Sequence, residues 1–278
     1  MFPPFNTALL VNKYRYQRLH YTLGSLFYLS IMMRPVKPEI LFLNILMLSS
    51  SRCGTGDFLQ HAQSMISTHL GDVKELLFIP YAGVTIDWDS YTTMVQSALP
   101  HYQVTGIHQL DDPIQAIKEA KAIVVGGGNT FNLLNELYQQ NVLQEIQQKV
   151  KNGTPYIGWS AGANICGNSI RTTNDMPIIQ PPSFRALNFV PFQLNPHYTD
   201  FQPSGHNGET RAQRIQEFCT LNPTMPVIGI REGTALIRHA DKLHLSGELS
   251  GVVFIGNRQL VIQADEDLSA YLTSNSEI

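Results

Sequence analysis

Tyr156-Ile-Gly-Trp-Ser-Ala-Gly-Ala-Asn-Ile165 is the stretch on which the fold turns. Tyr156 to Trp159 reads as an apolar strand, and Ala163-Asn-Ile-Cys166 is compatible with a helix. Between them stands Gly158-x-Ser160-x-Gly162. A strand that runs through a sharp turn into a helix is the pattern of a nucleophile elbow, whose serine needs strained backbone angles. Glycines on either side let neighbouring backbone approach without Cβ clashes. The turn exposes the serine Oγ at the carboxyl end of a strand, beside a helix amino end that stabilises developing negative charge. Gly and Ser are common residues, so the five-residue pattern draws its weight from the strand before it and the helix after it.

Outward from the elbow, apolar runs alternate with helical stretches. Strands are expected at 44–49, 76–79, 103–107 and 122–125, and helices at 56–69, 89–99, 113–120 and from about Asn129. Strands that are apolar throughout, separated by helices, indicate a parallel sheet covered on both faces. The expected class is α/β, with a doubly wound, mostly parallel sheet. After residue 222 short strands follow one another at 226–230, 234–237, 242–245, 251–255 and 259–262. These read as a β-rich portion completing the same sheet, so residues 43–278 are expected to form a single α/β domain.

Two further segments bring chemistry to the elbow. Val124-Val-Gly-Gly-Gly-Asn-Thr-Phe131 sets three glycines at a strand end just ahead of a helix. Its spacing fits neither G-x-G-x-x-G nor a P-loop with its lysine. It suits bare N–H groups of Gly127 and Gly128 aimed at an oxyanion, together with the N–H of Ala161. The plain alternative is a tight strand-to-helix turn. A serine nucleophile also needs a base, and the chain has nine histidines. His20, His61, His69, His101 and His108 precede the elbow and read as surface, and His239 and His244 sit in the alternating C-terminal strands. His197 follows the apolar run Phe189–Leu194 and Asn195-Pro196, which places it past the carboxyl end of a strand, where ligands bind in open α/β sheets. His206 is the next candidate.

The bulk composition narrows the partners. With 43% apolar and 15% charged residues the chain can bury a good core. A net charge of −3 gives no electrostatic reason for a nucleic acid or an anionic membrane partner. The cysteines, Cys53, Cys166 and Cys219, are three in number and lack C-x-x-C spacing. They argue against a disulfide framework and a structural zinc site, and for a reduced, cytoplasmic compartment. Each reads as core filler. The apolar run Leu23–Met33 has 11 residues, short of the roughly 20 that span a bilayer. Basic Lys13, Arg15 and Arg18 precede it, but it ends in Met-Met-Arg-Pro without a small-residue cleavage site. Residues 1–42 are therefore expected to be a poorly ordered N-terminal extension.

Five motifs together resemble the aspartyl dipeptidase (peptidase E) family, serine peptidase family S51. They are Gly-Trp-Ser-Ala-Gly-Ala-Asn (158–164), Ile-Arg-Thr-Thr-Asn-Asp-Met-Pro (170–177), Asn-Pro-His (195–197), Gly-His-Asn-Gly-Glu-Thr-Arg (205–211) and Ile-Pro-Tyr-Ala-Gly-Val-Thr (79–85). The similarity runs from about Asn44 to about Ile262, and residues 1–42 have no counterpart in it. It implies a fold like that of class I glutamine amidotransferases, no metal or cofactor, and hydrolysis of dipeptides with an N-terminal aspartate. Amidotransferases carry cysteine at the elbow, where this chain has Ser160.

From the chemistry and the resemblance together, Ser160 is the expected nucleophile and His197 its base. The resemblance supplies two candidates to orient the imidazole, Asp175 and Glu232. Glu232 lies just past the strand at 226–230, so it shares a sheet edge with His197 and is favoured. For the substrate the candidates are Arg171 and Arg211, which both lie in the family motifs and suit a carboxylate by their planar fork, and Asn129. The expected partner is a small dipeptide, with a homo-oligomer left open. Two rival readings are a cyanophycinase-like peptidase and a catalytically silent sensor on the same fold. The first needs a polymer groove, and no acidic insertion provides one. A silent site would have no use for the serine, the histidine and both acids.

Overall fold

The computed structural model describes residues 42–205 and 207–273, so the expectations for residues 1–41 and for His206 lie outside the described residues. Five strands, β1 (Asn44–Leu48), β2 (Glu75–Ile79), β3 (Gln103–Gly106), β4 (Ile123–Val125) and β5 (Tyr156–Trp159), pair in parallel in the order β3-β2-β4-β5-β1. Between and after them lie helices α1 (Gln63–Leu70), α2 (Trp88–Ala98), α3 (Pro113–Glu119), α4 (Thr130–Gln139), α5 (Leu143–Lys151) and the single turn α6 (Ala161–Asn164). Their starts follow ordinary capping chemistry. Asp87 and Asp112 accept hydrogen bonds from the N–H groups of Ser90 and Gln115, and Pro113 opens α3, where its missing N–H costs nothing. The first helix begins later than expected because Leu59 adopts φ +58 and a short 3₁₀ turn, Gln60–Ala62, comes before α1.

Alternation along the strands sorts their side chains onto two faces. Leu46, Leu48, Leu76, Phe78, Val124, Ile157 and Trp159 cluster with Ile66 and Leu70 of α1 and Tyr91 and Val95 of α2. Ile45, Met47, Leu77, Ile79, Ile123, Val125 and Tyr156 cluster with Ile117 of α3, Leu133 and Leu137 of α4, and Ile146 and Val150 of α5. The chain steps from β1 to β3 in one direction and from β3 to β5 in the other, so right-handed crossovers send the two sets of helices to opposite faces. Neighbours β1 and β5 are thus followed by helices on opposite sides, which opens a crevice at their carboxyl ends.

One expectation needs correction. The C-terminal strands do not all complete one sheet. β8 (Ala235–His239) and β9 (Lys242–Ser246) extend the main sheet antiparallel beyond β1. β6 (Gln193–Asn195), β7 (Val227–Gly229), β10 (Gly251–Ile255) and β11 (Arg258–Ile262) form a second sheet, ordered β11-β10-β7-β6. The reason is again alternation. Leu194, Ile228 and Val253 join the main core, whereas Val227, Val252 and Phe254 pack under Ile215 and Cys219 of α7 (Arg211–Leu221). A strand group buried on both faces in this way needs its own layer. The crossing between the sheets is the turn Arg231-Glu232-Gly233, with Gly233 at φ +87.

His69 is not the surface residue expected. It is half-buried, and its Nε2 lies 3.0 Å from the Tyr156 carbonyl oxygen, so that nitrogen carries the proton. Burial, only partly opposed by this bond, lowers its pKa from 6.5 to about 4. A histidine whose folded pKa is depressed adds stability above its unfolded value, and that stability is lost as pH falls. The unfolded chain binds the proton first, so the loss runs from about pH 6.5 to about 4 and totals on the order of 3 kcal/mol. Urea melts across that window should show it. A His69→Asn variant with an unchanged acid slope would assign the loss elsewhere.

Candidate active site

Ser160 sits where β5 ends, at φ +53 and ψ −112, with α6 starting at the next residue. The flanking glycine is required by close approach: a Cβ on Gly158 would overlap the Gly162 carbonyl one turn on. Backbone bonds hold the strained turn, from Ser160 N–H to the Leu48 carbonyl at 3.2 Å and from Asn164 N–H to the Ser160 carbonyl at 2.8 Å. His197, directly after Asn195-Pro196 at the end of β6, places its Nε2 3.0 Å from Ser160 Oγ. Its Nδ1 lies 2.7 Å from Glu232 Oε1. Serine hydroxyl, imidazole and carboxylate thus form one hydrogen-bonded row drawn from three strand ends.

The glycine loop lies against the serine. A Cβ on Gly127 would stand 3.0 Å from the Ser160 Cβ, and Gly128 takes φ +139 with its open side closed by the Ala82 backbone. Among the described residues the N–H groups of Gly127, Gly128 and Ala161 donate to no protein acceptor. Neighbouring Gly126 and Asn129 donate to Ile79 and Ala82.

Asp175 does not touch His197. Its Oδ2 accepts from the Thr130 N–H at 2.7 Å, from Thr130 Oγ1 at 2.5 Å and from Thr173 Oγ1 at 3.2 Å. The carboxylate therefore closes the amino end of α4, a placement favoured by the helix dipole. It nevertheless lines a cavity of about 240 Å³ together with Ser160, Asn164, His197 and Arg211. Arg211 opens α7, and its side chain makes no hydrogen bond or ion pair among the described residues. Burial, and then the nearby Arg214, lower its pKa, while Asp175 acts in the opposite sense. It is a cation in want of an anion.

Arg171 and Asn129 are placed elsewhere. Arg171 bonds Ser169 and Asn222 and stacks over Phe218 at 5.1 Å, facing a different cleft. Asn129 caps α4 through the Asn132 N–H and holds the Met176 carbonyl at 2.9 Å, which occupies both ends of its amide. Three contributors escaped the sequence reading. Ser49, Asn164 and Asn174 bond the backbone around His197 and β6. Ser49 left a trace as the polar residue closing the apolar run of β1, and Asn164 and Asn174 stand inside the motifs at 158–164 and 170–177 without being singled out. His61, read as surface, has both ring nitrogens buried, and Cys53 lies beside the Glu232 backbone rather than in the core. Among the described residues no group of three or more His, Cys, Asp or Glu is arranged to hold a metal ion, and no helix is long and apolar enough to cross a membrane.

An elbow serine, an imidazole and a carboxylate in a row at the switch point of an α/β sheet define a serine-hydrolase type of site. Comparison with known proteins agrees. Residues 45–246 match the model of Peptidase family S51. Peptidase E of Shewanella denitrificans is 56% identical over 233 residues, covering 83% of this chain and 99% of that protein. Peptidase E of Shewanella oneidensis is 52% identical over 232 residues, covering 82% and 98%. The chain belongs to peptidase family S51. Two solved structures share the fold. A peptidase from an acI-B1 Actinobacterium aligns with a TM-score of 0.62 at 18% identity, over 82% of this chain and 96% of that one. A peptidase E-type protein from Listeria monocytogenes EGD-e gives 0.57 at 22%, over 74% and 98%.

Proposed function

We propose that this peptidase is a serine-type dipeptidase that cleaves after an N-terminal aspartate through an acyl-enzyme on Ser160. The observation that carries the reading is the unpaired Arg211 in the same small cavity as the Ser160–His197–Glu232 row. A cavity of about 240 Å³ falls below the usual range of ligand pockets and suits one or two residues rather than a folded chain.

His197 Nε2 takes the Ser160 proton as Oγ attacks the scissile carbonyl carbon. Glu232 accepts from Nδ1–H, which keeps Nε2 unprotonated beforehand and stabilises the imidazolium that forms. The free N–H groups of Gly127 or Gly128 and of Ala161 receive the oxyanion. His197 then gives its proton to the leaving amine, the C–N bond breaks, and water repeats the sequence to release aspartate. Arg211 pairs with the substrate's side-chain carboxylate, which relieves its own unfavourable surroundings. Asp175, whose Oδ1 has no partner among the described residues, receives the α-ammonium.

Arg211→Ala removes a charge-assisted contact of about 1.5–3 kcal/mol. Hydrolysis of Asp-Leu is expected to fall roughly ten- to a hundredfold in kcat/KM, with the preference for Asp-Leu over Asn-Leu lost. Wild-type discrimination in this variant would sink the assignment. Arg171→Ala, altering a side chain outside the cavity, should leave that discrimination unchanged.

A further inference from the structure

His197 is a non-glycine residue at φ +56, in the left-handed region that such side chains enter at a cost. The peptide unit that precedes it is gripped on both sides. The Pro196 carbonyl accepts from Asn174 Nδ2 at 2.7 Å, and the His197 N–H donates to Ser49 Oγ at 2.9 Å. The two partners come from different segments, Ser49 from the end of β1 and Asn174 from the loop before Asp175.

Neither partner is free to turn. Ser49 is fully buried, and its own proton goes to the Ile230 carbonyl at 2.8 Å, so its lone pairs face the His197 N–H. Ile230 lies two residues before Glu232, which ties the carboxylate to the same anchor. Asn174 accepts at Oδ1 from Asn195 Nδ2 at 2.7 Å, and Asn195 Nδ2 also donates to the Thr172 carbonyl at 2.8 Å. These bonds fix the Asn174 amide with its NH₂ toward Pro196.

We infer that Ser49 and Asn174 are positioning residues, a two-sided clamp on the Pro196–His197 peptide that holds His197 left-handed and so brings Nε2 to Ser160. Rotation of φ into the ordinary negative range would swing the imidazole, itself part of the cavity wall, off the serine while leaving Arg211 in place. The inference rests on the proposed Ser160–His197 chemistry. Asn174 also lines the cavity, but its amide is engaged by the Pro196 carbonyl and by Asn195, so loss of the clamp should appear in turnover and in the reactivity of the serine itself.

The test uses the full chain, with two readouts: kcat and KM on Asp-Leu, and the rate at which a fluorophosphonate labels Ser160, which needs neither Arg211 nor Asp175. Asn174 is exposed, so Asn174→Ala should fold even if Ser49→Ala, in the buried position, does not. For each variant kcat and the labelling rate should fall by about a hundredfold, the scale of a misplacement near 1 Å, with KM within about threefold. The double variant should be little worse than the poorer single, since both groups hold one peptide unit. Asn174→Ala with wild-type turnover and labelling, or with a defect confined to KM, overturns the clamp. Ser160→Ala and His197→Ala serve as controls for the underlying reading. If His197→Ala labels as fast as wild type, the Ser160–His197 chemistry falls and takes the clamp with it. If both controls are inactive and the clamp variants normal, only the clamp fails.

Discussion

Ser160→Ala should lose Asp-Leu turnover by roughly 10⁶, the scale found when the nucleophile of a serine peptidase is removed. The fold should survive. The strain at Ser160 belongs to its backbone, and the bonds that hold it run from its N–H to Leu48 and from Asn164 to its carbonyl. An alanine keeps all of them and the Cβ. The deleted hydroxyl bonds only His197 Nε2, which is part-exposed and can turn to water. Stability should therefore shift by no more than about 1 kcal/mol. Melting temperature together with steady-state hydrolysis checks both halves. Undiminished turnover in the alanine variant would remove Ser160 from the mechanism, and a collapsed melting temperature would make lost activity uninformative.

What the sequence could show divides along the line between local and non-local causes. The elbow was legible because its demands are local: a strand, two glycines and a helix within ten residues. The glycine turn at 126–128 was legible as a strand-to-helix turn for the same reason. The parallel sheet was legible because strands buried on both faces need apolar runs, as at Ile45–Leu48 and Leu76–Ile79. The division of the C-terminal strands between two sheets was not. Val227-Ile-Gly229 and Ala235-Leu-Ile237 look alike as short apolar runs, and only the partners across each strand decide the layer. Arg171 and Arg211 stood equal as arginines in family motifs. What separates them is a ring, Phe218, and an amide, Asn222, brought to Arg171 from about fifty residues away. The clamp residues were hidden for the same reason, since Ser49 and His197 are 148 positions apart.

The choice between the two acids is where the geometry makes the sharpest demand. Glu232→Gln is expected to lower kcat by about 10³–10⁴ with KM little changed, the loss expected when the orienting acid of such a triad is made neutral. A glutamine can keep the shape but not the function. If its oxygen faces Nδ1, the tautomer survives and the imidazolium has no counter-charge. If its NH₂ faces Nδ1, the ring carries its proton on Nε2 and cannot accept from Ser160. The lower end of the range allows for the Glu232 side chain being 54% exposed, where water shares in supporting the charge. Asp175→Asn should behave differently. Its Oδ2 is already committed to Thr130 and Thr173, and an amide oxygen can go on accepting there, at a stability cost of about 0.3–1 kcal/mol from the lost charge at the helix end. What it cannot do is neutralise an α-ammonium, so KM for Asp-Leu should rise about ten- to a hundredfold while kcat stays within about threefold. N-acetylated Asp-Leu, which has no ammonium, should distinguish the two roles further. Wild type should handle it poorly, Asp175→Asn should lose nothing more on it, and Glu232→Gln should lose the same factor as on the free dipeptide. A turnover collapse in Asp175→Asn with Glu232→Gln near wild type would transfer the orienting role to Asp175, in spite of the 2.7 Å bond between Glu232 and His197.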